Sequence, residues 1–394
     1  MKIYDANEQY LKYLNNDIMA QLEVSTPNIT SKGFNVNLYE ISSSGEDIVF
    51  NLFVEAKDIE VSVTYDRIAY IIAVLSMQKY DYIKFDFEIC RKTLTDIQNV
   101  THAEIEANNI LEDVETVIRN KFSLCISGGI DSTTLRKLCP DLIPIALNFT
   151  TNGKGEELID IKTAKSLGSI VVVTNASEFL FPHYSFGYYN VGSLLLADAL
   201  DIGISANGAI MGDTAKSWAH GSERNPVING VSTISPLAGF SKVGVFKLLH
   251  KLDPDFYDTF NDNWFHYPVN GAEIKKTARV RLLIDAAITG KIRDVKTRLP
   301  RLSASANIFY TAYFINKLGI DVVDKYFNNL SDDLLNALSS VSTEFLEKYD
   351  QNELEKIPHE FRGYFEKQLN LAGVEYYTEK DYASRQNIVD MLGL

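Results

Sequence analysis

Hydrophobic residues recur along the chain with more than one rhythm, and each change of rhythm marks an expected element. A polar first stretch carries one expected helix over residues 7–21 and a Ser/Thr/Pro/Asn-rich break over 25–32. Short runs rich in Val, Ile, Phe and Tyr follow at residues 34–41, 47–54 and 60–65. Charged or Ser-Gly turns separate them, so they read as antiparallel strands. Over residues 67–80 the apolar positions Ile68, Ile71, Ile72 and Leu75 have the i, i+3, i+4, i+7 spacing of a helix face. Strand character returns at 82–87, which completes an expected N-terminal α+β domain over residues 1–115.

From residue 116 the pattern becomes strand, turn, helix, repeated, the signature of a parallel sheet covered by helices. Strands are expected at 122–127, 143–149, 169–174, 205–211 and 231–234, with helices at 132–139, 156–167, 192–200 and 242–251. Amphipathic stretches at 308–318, 332–346 and 360–371 make the remainder mostly helical. The expected organisation is therefore an α/β domain over 116–290 and a helical C-terminal region over 291–394, which would cover an active site or form a homodimer interface.

Composition agrees with several units, because 394 residues exceed the roughly 250–300 that one core usually holds. The 38 Lys and Arg against 52 Asp and Glu leave a net charge of −14, which opposes a broad nucleic-acid footprint or an anionic membrane surface. A local pocket for a small anion remains compatible with that balance. Three cysteines, Cys90, Cys125 and Cys139, cannot build a disulfide framework and fit a reducing compartment. The start of the chain lacks an apolar signal core, and the longest apolar run, 68–77, is too short to span a bilayer. A soluble, cytoplasmic protein is expected.

The candidate chemistry concentrates in residues 122–134 (FSLCISGGIDSTT), where an apolar strand, a Ser-Gly-Gly turn and a helix start follow one another directly. Gly128 and Gly129 let backbone N–H groups approach an anion, and Ser132 and Thr133 add hydroxyls at a helix N-terminus whose dipole favours phosphate. No Lys follows the glycines as in the Walker loop, and the spacing differs from the dinucleotide fingerprint. A plain strand-to-helix turn capped by Ser or Asp is the alternative.

Ser127-Gly128-Gly129-Ile130-Asp131-Ser132 resembles the signature of the PP-loop ATP pyrophosphatases, a superfamily that includes asparagine synthetase, GMP synthetase, NAD synthetase and deazaguanine synthase. The resemblance spans residues 120–290 and implies a Rossmann-like (HUP-type) parallel sheet that binds ATP and Mg²⁺. It implies an AMP-forming ligase that adenylylates a carboxylate or amide oxygen of a small molecule or peptide, before ammonia or an amine displaces AMP. Residues 234–242 (ISPLAGFSK) resemble a Pro-Leu-x-x-x-[ST]-Lys stretch of the deazaguanine-synthase branch, in which Lys242 would reach the phosphates. The local alternative makes Ser241 an N-cap and Lys242 a solvated helix residue. Residues 203–213 resemble the fourth-strand region, placing Gly208 beside the nucleotide and Asp213 on Mg²⁺ or substrate. Lys242, Asp131 and Asp213 are thus the catalytic candidates, and Ser127, Gly128, Gly129, Asp131, Ser132, Thr133, Gly208 and Lys242 the ATP-binding ones.

Departures from that family are equally specific. Its deazaguanine-synthase branch carries a four-cysteine zinc site, whereas residues 265–281 here contain no cysteine; Lys275, Lys276, Arg279 and Arg281 stand there instead. Lys276 and Arg279, with His220 and Arg224 from the polar loop 216–226, are candidates for holding an acidic substrate. Glu156 and Glu157 fall where the family often has an acid, or are first-turn helix glutamates. With Lys2 at position 2 and the first cysteine at Cys90, a cis glutaminase of the asparagine-synthetase type is not expected. The competing functions are a nucleotide-binding interaction protein with altered catalysis and an adenylate-dependent sulfur transferase, the latter requiring a usable thiolate.

Overall fold

The computed structural model describes residues 21–41, 47–76, 80–113, 118–150, 165–176, 186–211, 218, 227–228, 230–257, 279–292, 302–303, 308–328 and 330–392. Among them, Leu22, Val24, Val36, Leu38, Leu52 and Val54 alternate with exposed or half-buried neighbours, the period of a strand buried on one face. They lie on β1 (Gln21–Val24), β3 (Gly33–Ile41) and β4 (Asp47–Ala56), beside the short β2 (Asn28–Thr30). The helix α1 (Tyr65–Ser76) leads to β5 (Tyr82–Cys90), α2 (Arg91–Thr101) and β6 (Glu104–Leu111). The second set comprises β7 (Lys121–Ile126), α3 (Ile130–Leu138), β8 (Ile143–Phe149), β9 (Ile170–Thr174), α4 (Val191–Leu200), β10 (Ile202–Ala206), β11 (Val227–Ile228) and β12 (Val231–Ile234).

These twelve strands form one sheet in the order β11-β12-β10-β7-β8-β9-β4-β3-β1-β5-β6, with β2 paired to β3, and a separate parallel pair joins Leu302–Ser303 to Phe327–Asn328. The run β12-β10-β7-β8-β9 is parallel throughout. The N-terminal strands continue this same sheet, because β4 pairs antiparallel with β9 through Val54↔Thr174, Glu55↔Val173 and Ala56↔Val172. Beyond the end of β9 the Asn175 amide extends the ladder, accepting from Phe53 N at 2.9 Å and donating to Asn51 O at 2.8 Å. An edge strand presents unpaired backbone groups, and β4 satisfies those of β9.

Two compact units result, formed by the described residues of Met1–Ser132, Asp141–Asn207 and Asn225–Ile234, and of Thr133–Pro140, Gly208–Arg224 and Ser235–Leu394. The division falls elsewhere than at the expected boundaries 115 and 290. In the sheet unit every residue of α1 from Arg67 to Ser76 is buried, and α1 packs against α4. A helix apolar around its whole circumference must be enclosed, and this one shares a single core with Leu22, Phe34, Phe85, Ile145 and Leu195. Arg67 lies within that core, 3.7 Å from Asp198; burial pulls its guanidinium down to about 10 while Asp198 opposes the shift.

Several expected elements are displaced. Residues 60–64 form no strand: Thr64 instead starts α1, its hydroxyl taking Arg67 N at 3.3 Å and its carbonyl taking Ile68 N at 3.0 Å. Val61 and Val63 are buried with strand-like alternation, and Val61 N bonds Ser31 O at 2.9 Å, but among the described residues this contact does not extend into a ladder. The strand expected at 205–211 is β10, ending at Ala206, since Asn207 N turns to bond Ile234 O. The expected helices at 7–21 and 156–167 lie largely outside the described residues.

The second unit is helical: α5 (Lys242–Leu252), a π-helical turn Asp285–Thr289, α6 (Ile308–Leu318), α7 (Ile320–Tyr326), α8 (Asp332–Ser339), α9 (His359–Leu371) and α10 (Glu379–Leu392). Its core is aromatic, with Trp218 stacked on Phe309 at 4.1 Å between ring centroids and edge-on to Phe345. Buried charge is paired there. Asp350 accepts from Tyr382 Oη and Arg385 Nη1, both at 2.7 Å, and Asp381 accepts from Lys348 Nζ at 2.9 Å. Among the described residues no helix is long and apolar enough to cross a membrane.

Candidate functional site

The chain runs outward from β7 to β8 and β9, then returns to β10 and β12 on the opposite side of β7. This reversal makes the carboxyl end of β7 a topological switch point, where an open α/β sheet leaves a crevice for ligands. The Ser-Gly-Gly turn emerges there, following Ile126 and leading into α3.

The turn is closed by its own hydroxyls. Ser132 Oγ accepts from Ser127 N at 3.2 Å and donates to Gly129 O at 3.2 Å, while Ser127 Oγ accepts from Gly129 N at 3.3 Å. Ser127 and Ser132, expected to donate to an anion, thus also hold the loop in shape. Gly128 has φ +71°, a left-handed backbone that disfavours a side chain, and open space where a Cβ would stand. Asp131 occupies the first turn of α3, where a carboxylate complements the helix dipole, and Thr133 follows it, buried. The structure therefore brings Ser127, Gly128, Gly129, Asp131, Ser132 and Thr133 into one turn.

Beneath the turn, β7 is pinned by a buried polar layer. Ser123 Oγ donates to Ser193 Oγ of α4 at 2.9 Å, and Ser205 Oγ of β10 donates to Asn190 Oδ1 at 3.0 Å. Cys125 Sγ lies 3.4 Å from Ser205 Oγ and 3.6 Å from Asn190 Oδ1. Burial pushes the Cys125 thiol up, outweighing the hydrogen bonds from Ser205 and Ser193, so it stays protonated at neutral pH. Cys90 and Cys139 are likewise buried, and none of the three is in a disulfide.

One residue that sequence reasoning missed stands out here. Asn148, next to last on β8, is 1% exposed, and neither atom of its side-chain amide has a hydrogen-bond partner among the described residues. Its only signal in the sequence is a lone polar residue inside the otherwise apolar run Ile143–Phe149.

The other candidates fall in different places. Gly208 is half-buried and follows β10 by two residues. Ser241 is the N-cap of α5: its Oγ accepts from Val243 N at 3.0 Å and Gly244 N at 3.2 Å and donates to Leu346 O at 2.5 Å. Lys242 is the first residue of that helix, half-buried, with its backbone N–H on Tyr310 Oη at 3.2 Å. Arg279 is half-buried on a helical stretch that leads into the π-helical turn. Asp213, His220, Arg224, Lys276, Glu156 and Glu157 lie outside the described residues. Among the described residues no group of three or more His, Cys, Asp or Glu could hold a metal ion. Mg²⁺ needs no such cage, since it takes one or two carboxylates together with nucleotide phosphates.

These elements define an α/β protein built on a mostly parallel central sheet. No family model, no curated protein and no solved structure matches the chain.

Proposed function

We propose that the protein is an AMP-forming ligase of the ATP pyrophosphatase type and that its sheet unit is a Rossmann-like (HUP-type) nucleotide domain of the PP-loop class. The observation that carries this reading is the Ser-Gly-Gly turn at the switch point of the parallel sheet, leading directly into a helix N-terminus. Such a turn presents backbone N–H groups and a positive dipole end to phosphate oxygens without spending a cationic side chain. The open space at Gly128 fits a phosphate that approaches the backbone closely.

In the proposed reaction a carboxylate or amide oxygen of the acceptor attacks the α-phosphorus of ATP. The bond to the bridging oxygen breaks, and pyrophosphate leaves with that bonding pair. Ammonia or an amine then attacks the activated carbon, loses a proton, and AMP departs. The turn, with the dipole of the helix that follows it, would stabilise charge on the departing pyrophosphate, and Lys242, Asp131 and Asp213, the last toward Mg²⁺, are the catalytic candidates. His220, Arg224, Lys276 and Arg279 are the candidates for the acceptor. The acceptor is a small molecule or peptide with an activatable carboxylate.

Nucleotide product analysis tests this reading. A pyrophosphate-release screen over purine-like, amino-acid and peptide carboxylates is expected to yield AMP and pyrophosphate in equal amounts. ADP and phosphate in their place would overturn it. ATP binding without turnover on every acid would favour the nucleotide-binding interaction protein instead. Burial of all three cysteines weighs against the sulfur-transfer alternative.

A further inference from the structure

Asn148 is a fully buried amide without a partner among the described residues, an arrangement that native proteins avoid because desolvation of both polar atoms goes uncompensated. Other buried side-chain polar groups of the same sheet unit show how such a group is ordinarily satisfied. Ser123, Ser193, Ser205 and Asn190 are all partnered on the opposite side of the sheet, while Ser169 Oγ, just before β9, also lacks a partner among the described residues.

Its position is specific. Strand β8 lies beside β7 with Ile126 opposite Ala146, so Asn148 stands two residues further along, level with the Ser-Gly-Gly turn that leaves β7. Side chains alternate along a strand, and Ala146 packs with Val171 and Val173, apart from the core that takes Ile145, Leu147 and α4. Asn148 therefore shares the face of Ala146, opposite the satisfied polar layer of Ser123 and Cys125. No structural partner is provided on that side by β7 or β9.

We propose that the Asn148 amide is the base-reading residue of the nucleotide site, a specificity determinant for a purine edge that offers a donor beside an acceptor. This rests on the nucleotide reading given above. An asparagine amide presents one donor and one acceptor in a plane, and adenine answers with its exocyclic amino group next to a ring nitrogen. The amide is sealed from solvent in the ligand-free chain, so entry of the base requires a local opening at the end of β8. The uncompensated polarity is relieved once the base is bound, and the dry surroundings make each hydrogen bond count for more.

Titration calorimetry with ATP and with purine riboside triphosphate, which lacks only the 6-amino group, tests the proposal on the full chain. The wild-type protein is expected to bind ATP about tenfold to a hundredfold more tightly than the analogue, as loss of one partner to a buried polar group implies. Asn148→Leu, which keeps the same branched heavy-atom skeleton but is apolar, is expected to abolish that preference. Equal wild-type affinity for the two nucleotides overturns the base-reading role with no variant needed. Retention of the ATP preference in Asn148→Leu overturns it as well. Failure of the wild-type protein to bind either nucleotide overturns the nucleotide reading itself, an outcome distinct from both.

Discussion

In the helical unit the Asp350 carboxylate is 2% exposed and is held by Tyr382, by Arg385 and by its own N-cap bond from Asn352 N at 3.1 Å. In the sheet unit Asn148 is equally buried and has no partner among the described residues. The charged carboxylate carries the larger desolvation penalty and is compensated; the smaller penalty of the neutral amide is not. Asp350 sits where three chain segments meet, since Phe240 bridges Tyr349 and Tyr349 bridges Tyr376. Its bonds therefore fasten architecture. Asn148 sits at the carboxyl edge of a parallel sheet, where function rather than architecture sets the residue. Asp350 is thus part of a structural joint, and Asn148, under the proposal above, is where a ligand group belongs.

The largest expected effect breaks the joint. Asp350→Ala leaves the half-buried Arg385 guanidinium and the Tyr382 hydroxyl without their acceptor and is expected to cost about 3 kcal/mol of stability in chemical denaturation. Should it cost no more than Asn148→Leu, the contrast between the two sites would fail. Next comes Gly239→Ala, whose Cβ would lie 2.4 Å from the Tyr349 ring and force apart the same joint. A loss of about 1–3 kcal/mol is expected, with nucleotide affinity unchanged.

Gly128→Ala probes the other side of the comparison. A Cβ there meets nothing within 4 Å, so only the left-handed φ of +71° is penalised, by about 1 kcal/mol. ATP affinity, measured by calorimetry, is expected to fall by more than this small stability change implies. Equal affinity in mutant and wild type would remove the turn from the site.

The smallest effect is acid sensitivity of the helical unit. Burial pushes the carboxyls of Glu347 and Asp381 up, but hydrogen bonds outweigh it and hold both below their ordinary values. Lys247 and Lys317 supply them to Glu347, and Thr378 and Lys348 to Asp381. A depressed carboxyl contributes stability that is complete above its unfolded value, about 4, and is lost as pH falls through the folded value. Melting temperature is expected to hold steady down to about pH 5 and to drop below about pH 4. Glu347→Gln should blunt that drop, and an unchanged acid profile would exclude this ion pair as its source.

Legibility from sequence varied with how local each feature is. Strands β7, β8 and β12 fall within a residue of their expected ends, and the Ser-Gly-Gly turn lies between β7 and α3 as its residues require. The helices expected near 192–200, 242–251, 308–318 and 360–371 are likewise present. By contrast, β1, α2, β6 and α10 were not foreseen. The exposed strand β6 and the polar helix α2 carry too few buried residues for periodicity to show, and Thr64 turned an apparent strand into a helix start.

The amino-acid sequence by itself determined the strand-turn-helix unit at residues 121–138, because alternation, glycine backbone freedom and hydroxyl capping act within a few residues of one another. It determined also that the cysteines are few. Only the tertiary structure decided that β4 seals the edge of β9 and that Asn148 is buried without a partner among the described residues. Each of these depends on which distant segments meet, and neither residue type nor spacing encodes a contact across more than a hundred residues.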